Sequence, residues 1–396
     1  MLLETKKEIE IDYKNNKWKL LLMINSDYII LILKKMNSDI EYSNKLNKNE
    51  YKELIDYSLE ENEISIEENE GLYQLSLKFK NNKVNSLIIS LNNKDNLNLK
   101  NIKRIKVVDN GIITSLSKFP CGNIICVSDD KSIKIFDNNL NILIQHIENA
   151  HDDSIYYVNV KNENNFVTCS RDKSIRTWIK KENKFKLNKV IYNAHNDSIR
   201  KILYLNENII SCSMDNSLKI WEENNNKNIY QCTTILIHSS IIFSFLFLQD
   251  KNILITGGKD GIKFWNFNNY ELINYIKKVE CCSPDSLTRI NKNNIIVSGL
   301  KDNKLKIISL NQKKIIKEIN NQFITLSIYS LIEKNIFLVG GRSNDIKIYR
   351  NDNYECIQII KKAHNRFIKG FIESNNNSIL SYSVDGNIKI WIFESK

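Results

Sequence analysis

Seven times along its 396 residues the chain returns to an alternating apolar run that ends on a large side chain. The runs are SIKIFD (132–137), SIRTWI (174–179), SLKIWE (217–222), GIKFWN (261–266), KLKIIS (304–309), DIKIYR (345–350) and NIKIWI (387–392). Their anchors, Phe136, Trp178, Trp221, Trp265, Ile308, Tyr349 and Trp391, are separated by 42, 43, 44, 43, 41 and 42 residues. A fixed period means one supersecondary unit used repeatedly, each copy burying its neighbour's apolar face. The second unit reads SIYYVNV (154–160), NNFVTCS (164–170), SIRTWIK (174–180) and FKLNKVIY (185–192). Period-2 alternation marks these as half-buried strands, and the polar segments RDKS and MDNS mark tight turns. Stacked face to face around an axis, such sheets leave few exposed edges. The expected architecture is mainly β, a seven-bladed propeller.

The units resemble WD40 repeats over about residues 101–396, three quarters of the chain. The resemblance implies a hydrogen-bonded tetrad in a blade: a His near the start of the unit, then a Ser and an Asp before the Trp. His151, His195, His238 and His364 fall 26 or 27 residues before an anchor. Asp130, Asp172, Asp215, Asp302 and Asp385 fall six residues before one. Complete sets are expected at His151/Ser170/Asp172/Trp178, His195/Ser213/Asp215/Trp221 and His364/Ser383/Asp385/Trp391. Repeat four departs from this, with Asp260 five residues before Trp265 and Gly257 at the place of Ser. Repeats five and six lack the His and carry Ile308 and Tyr349 for Trp, so apolar packing and a softer sector of the ring are expected there. In propellers of this kind the last blade borrows its outer strand from upstream. Only five residues follow Trp391, and KNIKRIKVVDN (100–110) aligns with outer strands, so residues 102–108 are expected to complete the sheet of residues 363–393.

Residues 1–98 do not carry the repeat. They read as strands EIEIDY, KWKLLLMI, YIILILKK and DIEYSNK, a short helix capped at Asn49, then strands EISIEE, YQLSLKF and VNSLIISL. Tyr51, Leu54, Ile55 and Leu59 would form the helix's apolar face. A small α+β or β-sandwich domain over 1–98, of no recognised family, is expected ahead of the propeller at 101–396.

Composition narrows the class. With 42% hydrophobic and 26% charged residues, two prolines and eleven glycines, the chain is an ordinary globular one. Eight cysteines without a CxxC pair and five histidines offer no zinc spacing, and read as reduced, mostly buried thiols. The beginning MLLETKKEIEIDY lacks the apolar core of a signal peptide, and YIILIL (28–33) and SIIFSFLFL (240–248) are too short to span a membrane. An intracellular protein, cytoplasmic or nuclear, is expected. Residues 1–100 hold 15 Lys and Arg against 17 Asp and Glu, so the net charge of +11 lies beyond them. A basic second part would suit nucleic acid or an anionic surface. The abundance of Asn, Lys and Ile, all with AT-rich codons, also explains much of the lysine excess.

No Gly-rich phosphate loop, HExxH or nucleophile elbow is present in the sequence. The histidines are accounted for by the tetrads, except His146 on an outer strand. Asp152–Asp153 follows from the repeat position, and Cys281–Cys282 reads as a buried vicinal pair. No enzyme, metal or cofactor is therefore expected. Function in propellers of this kind lives on a rim. The alignment carries it to Ser154, Tyr156 and Arg171 in repeat two and to Ser198, Arg200 and Met214 in repeat three. It adds Phe243 and Lys259 in repeat four, Thr288 and Lys301 in five, Arg342 in six, and Phe367 and Lys369 in seven. Aromatic and Arg side chains are the usual chemistry of binding hot spots. The expected function is a non-catalytic scaffold or adaptor for protein or peptide partners, with acidic or phosphorylated segments favoured by the basic rim. The alternative is an RNA-associated protein using its basic surface. Phosphoinositide binding is disfavoured because GGRSND (340–345) has one Arg, and WIKK, WEEN, WNFN and WIFE do not match the Trp-Asp-x-Arg of ubiquitin-ligase receptors.

Overall fold

The computed structural model describes residues 111–396 apart from 225, 226, 228, 278, 300, 301, 375–377 and 396, together with Val107 and the backbone of eight strands between Thr5 and Lys106. The chain divides into two compact units, Met1–Leu99 with Phe393–Lys396 and Lys100–Ile392.

The first unit holds two antiparallel sheets. One is a four-stranded meander, Thr5–Tyr13, Asn16–Ile24, Tyr28–Lys35 and Glu41–Asn47; the other has three strands, Glu63–Asn69, Leu72–Lys78 and Leu87–Leu91. Each sequence-predicted strand falls on one of these. The helix expected at 49–61 lies outside the described residues.

The second unit is a propeller of seven four-stranded antiparallel sheets. Its innermost strands are Ile113–Lys118, Ile155–Asn162, Ile199–Leu205, Ile242–Leu248, Leu287–Arg289, Thr325–Leu331 and Ile368–Glu373. The seventh sheet is completed by Leu97–Lys106 beside Asn387–Ser395. This closing strand begins five residues earlier than the sequence suggests and ends at Lys106, after which the Val107 N–H bonds the Gly386 carbonyl at 2.9 Å.

Blade faces pack by the alternation read from the sequence. Ile125, Val127, Ile133 and Ile135 of blade one meet Ile155, Val158, Phe166 and Trp178 of blade two. Across the closure, Ile113, Leu116 and Phe136 of blade one meet Leu380, Tyr382 and Ile388 of blade seven. Complete burial of a side chain of this size contributes roughly 1.5–3 kcal/mol.

The turn between the second and third strands of a blade is an Asx turn. Asp130, Asp172, Asp215, Asp302 and Asp385 each accept, on Oδ1, the N–H two residues on, at 2.8–3.2 Å. The residue between is left-handed: Lys131, Lys173, Asn216, Asn303 and Gly386 have φ of 69°, 67°, 70°, 52° and 74°. In blade six Ser343 replaces the Asp and accepts the Asp345 N–H at 3.2 Å.

Candidate functional site

The turn aspartates also reach the connection that enters each blade. His151 Nδ1 lies 2.8 Å from Asp172, His195 Nδ1 3.0 Å from Asp215, His238 Nδ1 2.6 Å from Asp260 and His364 Nδ1 3.1 Å from Asp385. On the far side of each ring, Nε2 meets a hydroxyl at 2.6–2.8 Å: Thr168, Ser211, Thr256 and Ser381. The same hydroxyl accepts the indole N–H of Trp178, Trp221, Trp265 or Trp391 at 2.8–2.9 Å. Because an indole only donates, the hydroxyl hydrogen is free to go to Nε2, which fixes the neutral tautomer with its proton on Nδ1, aimed at the carboxylate.

This corrects the hydroxyl assigned to the tetrads. Ser170, Ser213 and Ser383 instead accept the N–H of Asp172, Asp215 and Asp385 and donate to the carbonyls of Asp153, Asp197 and Arg366. Residues two apart in a strand share a face. The sequence spacing therefore could not separate Ser170 from Thr168; only register against the Trp does. Repeat four, read from sequence as incomplete, carries a full tetrad through Thr256. Blade six is not purely apolar either: Tyr349 donates to Asn321 Oδ1 at 2.9 Å, and Asn321 Nδ2 donates to Thr325 at 2.6 Å.

Burial holds His151, His195 and His238 below the ordinary imidazole range, against the opposing pull of their aspartates. For Asp172, Asp215 and Asp385 burial alone would raise the pKa; the bonds from His and from Ser174, Ser217 and Asn387 outweigh it and hold the carboxyls well below the usual range. Both depressions act in one direction. The unfolded chain takes up the proton first, so stability present above about pH 6.5 falls as the histidines' ordinary pKa is crossed, and falls again below about pH 4. The unfolding temperature is expected to drop steadily between pH 7.5 and 5. A flat profile there would mean that the imidazoles are not held neutral by the fold.

The rim arises from another repeated device. Where the innermost strand starts, register shifts against the second strand at Ile155/Tyr157, Ile199/Lys201, Ile242/Ser244, Thr325/Ser327 and Ile368/Gly370, with a matching shift between Val127 and Ser128 in blade one. The extra residue of each bulge is thus Thr114, Tyr156, Arg200, Phe243, Leu326 or Lys369. A bulge re-aims its side chain out of the pleat. The bulges bring several predicted residues together: the Arg200 guanidinium lies 4.4 Å from the Tyr156 ring and 5.8 Å from that of Phe243, joining blades two, three and four. Arg342 lies 5.6 Å from the Phe367 ring, joining blades six and seven.

The partner positions on the turns are tied to the same strand starts, since the N–H groups of Arg171 and Met214 bond the carbonyls of Ser154 and Ser198 at 3.0 Å. Lys259 is exposed one residue before Asp260, and Arg171 stands 3.7 Å from Asp153. Ser198 is buried and presents little surface. Lys301 lies outside the described residues. Thr114, which donates to the carbonyl of Ile155 at 2.6 Å, and Leu326 were not singled out by sequence.

Thr288 does not belong to this rim. It pairs regularly with Ile296 and lines a central cavity of about 420 Å³ with Leu246, Ile328 and Tyr329. In blade five the stretch that starts the innermost strand elsewhere is an irregular strap, Ser283–Ser286, which slips the alignment. Asp285 Oδ1 accepts from Tyr157 of blade two and Oδ2 from Tyr382 of blade seven, both at 3.0 Å. The Pro284 carbonyl accepts from Lys201 at 2.7 Å and from Ser244 at 2.6 Å. The strap thus ties blade five to blades two, three, four and seven. Tyr382 passes over Gly370, where a Cβ would stand 2.0 Å from the Tyr382 hydroxyl oxygen. Cys281 and Cys282, at the root of the strap, are buried, and burial raises both thiols, to about 12 and about 11, so they are inert.

The model of the WD domain, G-beta repeat, matches residues 102–137, 143–178 and 186–222. Taken with seven closed blades and four His–Asp–hydroxyl–Trp networks, that match identifies the chain as a member of the WD40 β-propeller family.

Proposed function

We propose that the chain is a non-catalytic scaffold that binds protein or peptide partners on the bulge-bearing rim, with the Arg200 guanidinium between Tyr156 and Phe243 as its centre. WD40 propellers are in general protein-interaction scaffolds. The observation that carries the reading here is that cluster: three large side chains from three blades, re-aimed by bulges and rich in the residue types of hot spots. The non-catalytic part is supported by the burial of His151, His195, His238 and His364, each 1–2% exposed, whose hydroxyl partners also hold a buried indole and so stand out of a substrate's reach. Among the described residues no helix is long and apolar enough to cross a membrane. An intracellular location, cytoplasmic or nuclear, belongs to the proposal.

The RNA alternative is weaker because part of the basic charge, one cation in every repeat, is committed elsewhere. Every repeat carries Lys or Arg two residues before its anchor: Lys134, Arg176, Lys219, Lys263, Lys306, Lys347 and Lys389. Six of these donate to a main-chain carbonyl of the connection entering the blade, those of Val107, Ala150, Ala194, Ile237, Asn321 and Ala363. Lys306 pairs with Asp302 at 2.5 Å.

The test is capture of partners from native lysate, with and without nuclease, by the wild type and by an Arg171→Glu/Arg200→Glu/Lys259→Glu variant. A protein partner that survives nuclease and is lost in the variant is expected. For such a partner, Arg200→Ala alone should weaken binding by about 2 kcal/mol, roughly 30-fold. Recovery of RNA, with all proteins lost after nuclease, would sink the reading in favour of the alternative.

A further inference from the structure

The strap divides the central channel. Its contacts in blades two, three and four are Tyr157, Lys201 and Ser244, each one residue past a bulge residue, so Pro284 and Asp285 cross the channel directly beneath the rim. Beyond them the inner strands enclose the cavity of about 420 Å³, within the range of roughly 300–1,000 Å³ that small-molecule sites occupy. Its wall runs on to Lys118 and Glu373, which end the innermost strands of blades one and seven, four residues past their bulge residues. The cavity is thus closed by the strap at the rim end and approached from the opposite face.

The charges in this wall cancel. Asp285 and Lys201 are committed to the bonds of the strap. Lys118 and Glu373, one of each sign at the same level, make no side-chain hydrogen bond or ion pair among the described residues. Other polar groups of the wall keep bonding capacity. Asn159 Oδ1 accepts the Tyr204 N–H at 2.8 Å, which leaves the two donors of its amide. Tyr329 accepts the Glu373 N–H at 3.2 Å, which leaves its hydroxyl proton. Ser327, 1% exposed where the strap bridges blade six, has a buried hydroxyl without a partner. Buried polar side-chain atoms are in large majority bonded, so this one marks a wall built for a bonding occupant. Between these groups lies aromatic surface, with Tyr157 and Tyr382 fixed by their bonds to Asp285.

We infer that this cavity binds a neutral polyhydroxylated ring, a pyranose or a cyclitol, entering from the face opposite the rim. A ligand with a net charge gains nothing from a wall whose charges cancel, and it loses its hydration. A purely apolar ligand would strip water from Lys118, Asn159 and Glu373 and return no bond. Hydroxyl groups both donate and accept. One ring can therefore take the Lys118 and Asn159 donors on some oxygens and give neighbouring protons to the two oxygens of Glu373. Its C–H faces are apolar and suit the tyrosine rings, whose bodies are apolar and whose tips are polar.

The test is saturation-transfer NMR on the full chain with glucose, galactose, mannose, xylose and myo-inositol, continued as a concentration series for any that give a signal. At least one is expected to bind. Glu373→Gln should weaken it about tenfold through loss of a charged acceptor. Thr288→Trp, which fills the cavity from a partly exposed position, should abolish it with the unfolding temperature retained. Glucuronate, the same ring with a charge, and cyclohexanol, a similar ring with one hydroxyl, should not displace it. The Arg171→Glu/Arg200→Glu/Lys259→Glu variant should bind it as the wild type does, because the strap stands between the two sites. The inference is overturned by silence from all five probes, by binding that persists in Thr288→Trp or is lost in the rim variant, or by equal binding of glucuronate or cyclohexanol. If Thr288→Trp does not fold, Glu373→Gln decides, and an unchanged affinity there overturns it.

Discussion

Replacing Asp285 by alanine is expected to lower the stability of the propeller by about 3 kcal/mol, because two hydroxyl bonds to a charged acceptor are lost at about 1.5 kcal/mol each. Tyr382 is 1% exposed, so in the folded state its hydroxyl depends on this carboxylate for its partner. Tyr382→Phe removes one bond and leaves Tyr157 on Asp285, which should cost only about 1.5 kcal/mol. Gly370→Ala reaches the same contact from the other side, since its Cβ would displace the Tyr382 hydroxyl. The two changes share one interaction. Adding Gly370→Ala to Tyr382→Phe should therefore cost clearly less than the sum of the single effects. Urea unfolding followed by tryptophan fluorescence reports this well, because Trp178, Trp221, Trp265 and Trp391 all sit in blades and only Trp18 lies elsewhere. An Asp285→Ala change below about 1 kcal/mol would mean that the strap rests in the channel without holding the ring.

The strap also shows where sequence reading stops. The period and the anchors recur in all seven units and the turn aspartates in five, so they stand out against a background that varies, and the closing strand was legible by its likeness to the outer strands. Asp285 occurs once, in the one unit whose innermost strand is shortened to Leu287–Arg289, and no comparison among units can mark it. Pro284, one of two prolines in the chain, was the available hint that a regular strand could not start there. The displacement of Thr288 from the rim is the same failure seen from the next residue along. The rim itself was half legible. Alignment could name Tyr156, Arg200, Phe243 and Lys369, but the bulge that turns them outward is a matter of register, which spacing alone does not reveal. The use of the charge was only partly legible for a related reason. A Lys or Arg two residues before every anchor is visible in the sequence, yet only the carbonyls at the other end show that part of the basic balance is a fastening of each blade to its incoming connection. Blade six makes the converse point, since Asn321 and Tyr349 rebuild a polar contact from residue types that no motif search would pair.

The largest single loss in the blades is expected at Asp215. Its carboxylate accepts four donors: His195 Nδ1 at 3.0 Å, the Ser217 N–H at 3.0 Å, the Ser217 hydroxyl at 2.6 Å and the Asn196 N–H at 2.9 Å. Asp215→Ala leaves the Ser217 hydroxyl, 3.0 Å away, as the acceptor for His195 Nδ1, strands the Ser217 hydroxyl proton and the Ser217 and Asn196 N–H groups, and removes the acceptor that closes the turn, for a loss of about 4 kcal/mol. Tyr349→Phe in blade six removes only one neutral bond, to Asn321, and should cost about 1 kcal/mol. The contrast separates a network from a contact: if the tetrad is a unit, His195→Leu added to Asp215→Ala costs much less than its single effect, whereas Tyr349→Phe adds to either in full. The acid profile gives an independent reading. With one depressed carboxylate gone, the loss of stability below about pH 4 should be shallower in Asp215→Ala than in the wild type. If the variant instead loses stability with acid as steeply as the wild type, the carboxylate was not the group being protonated, and the fastening of blade three lies in its apolar contacts.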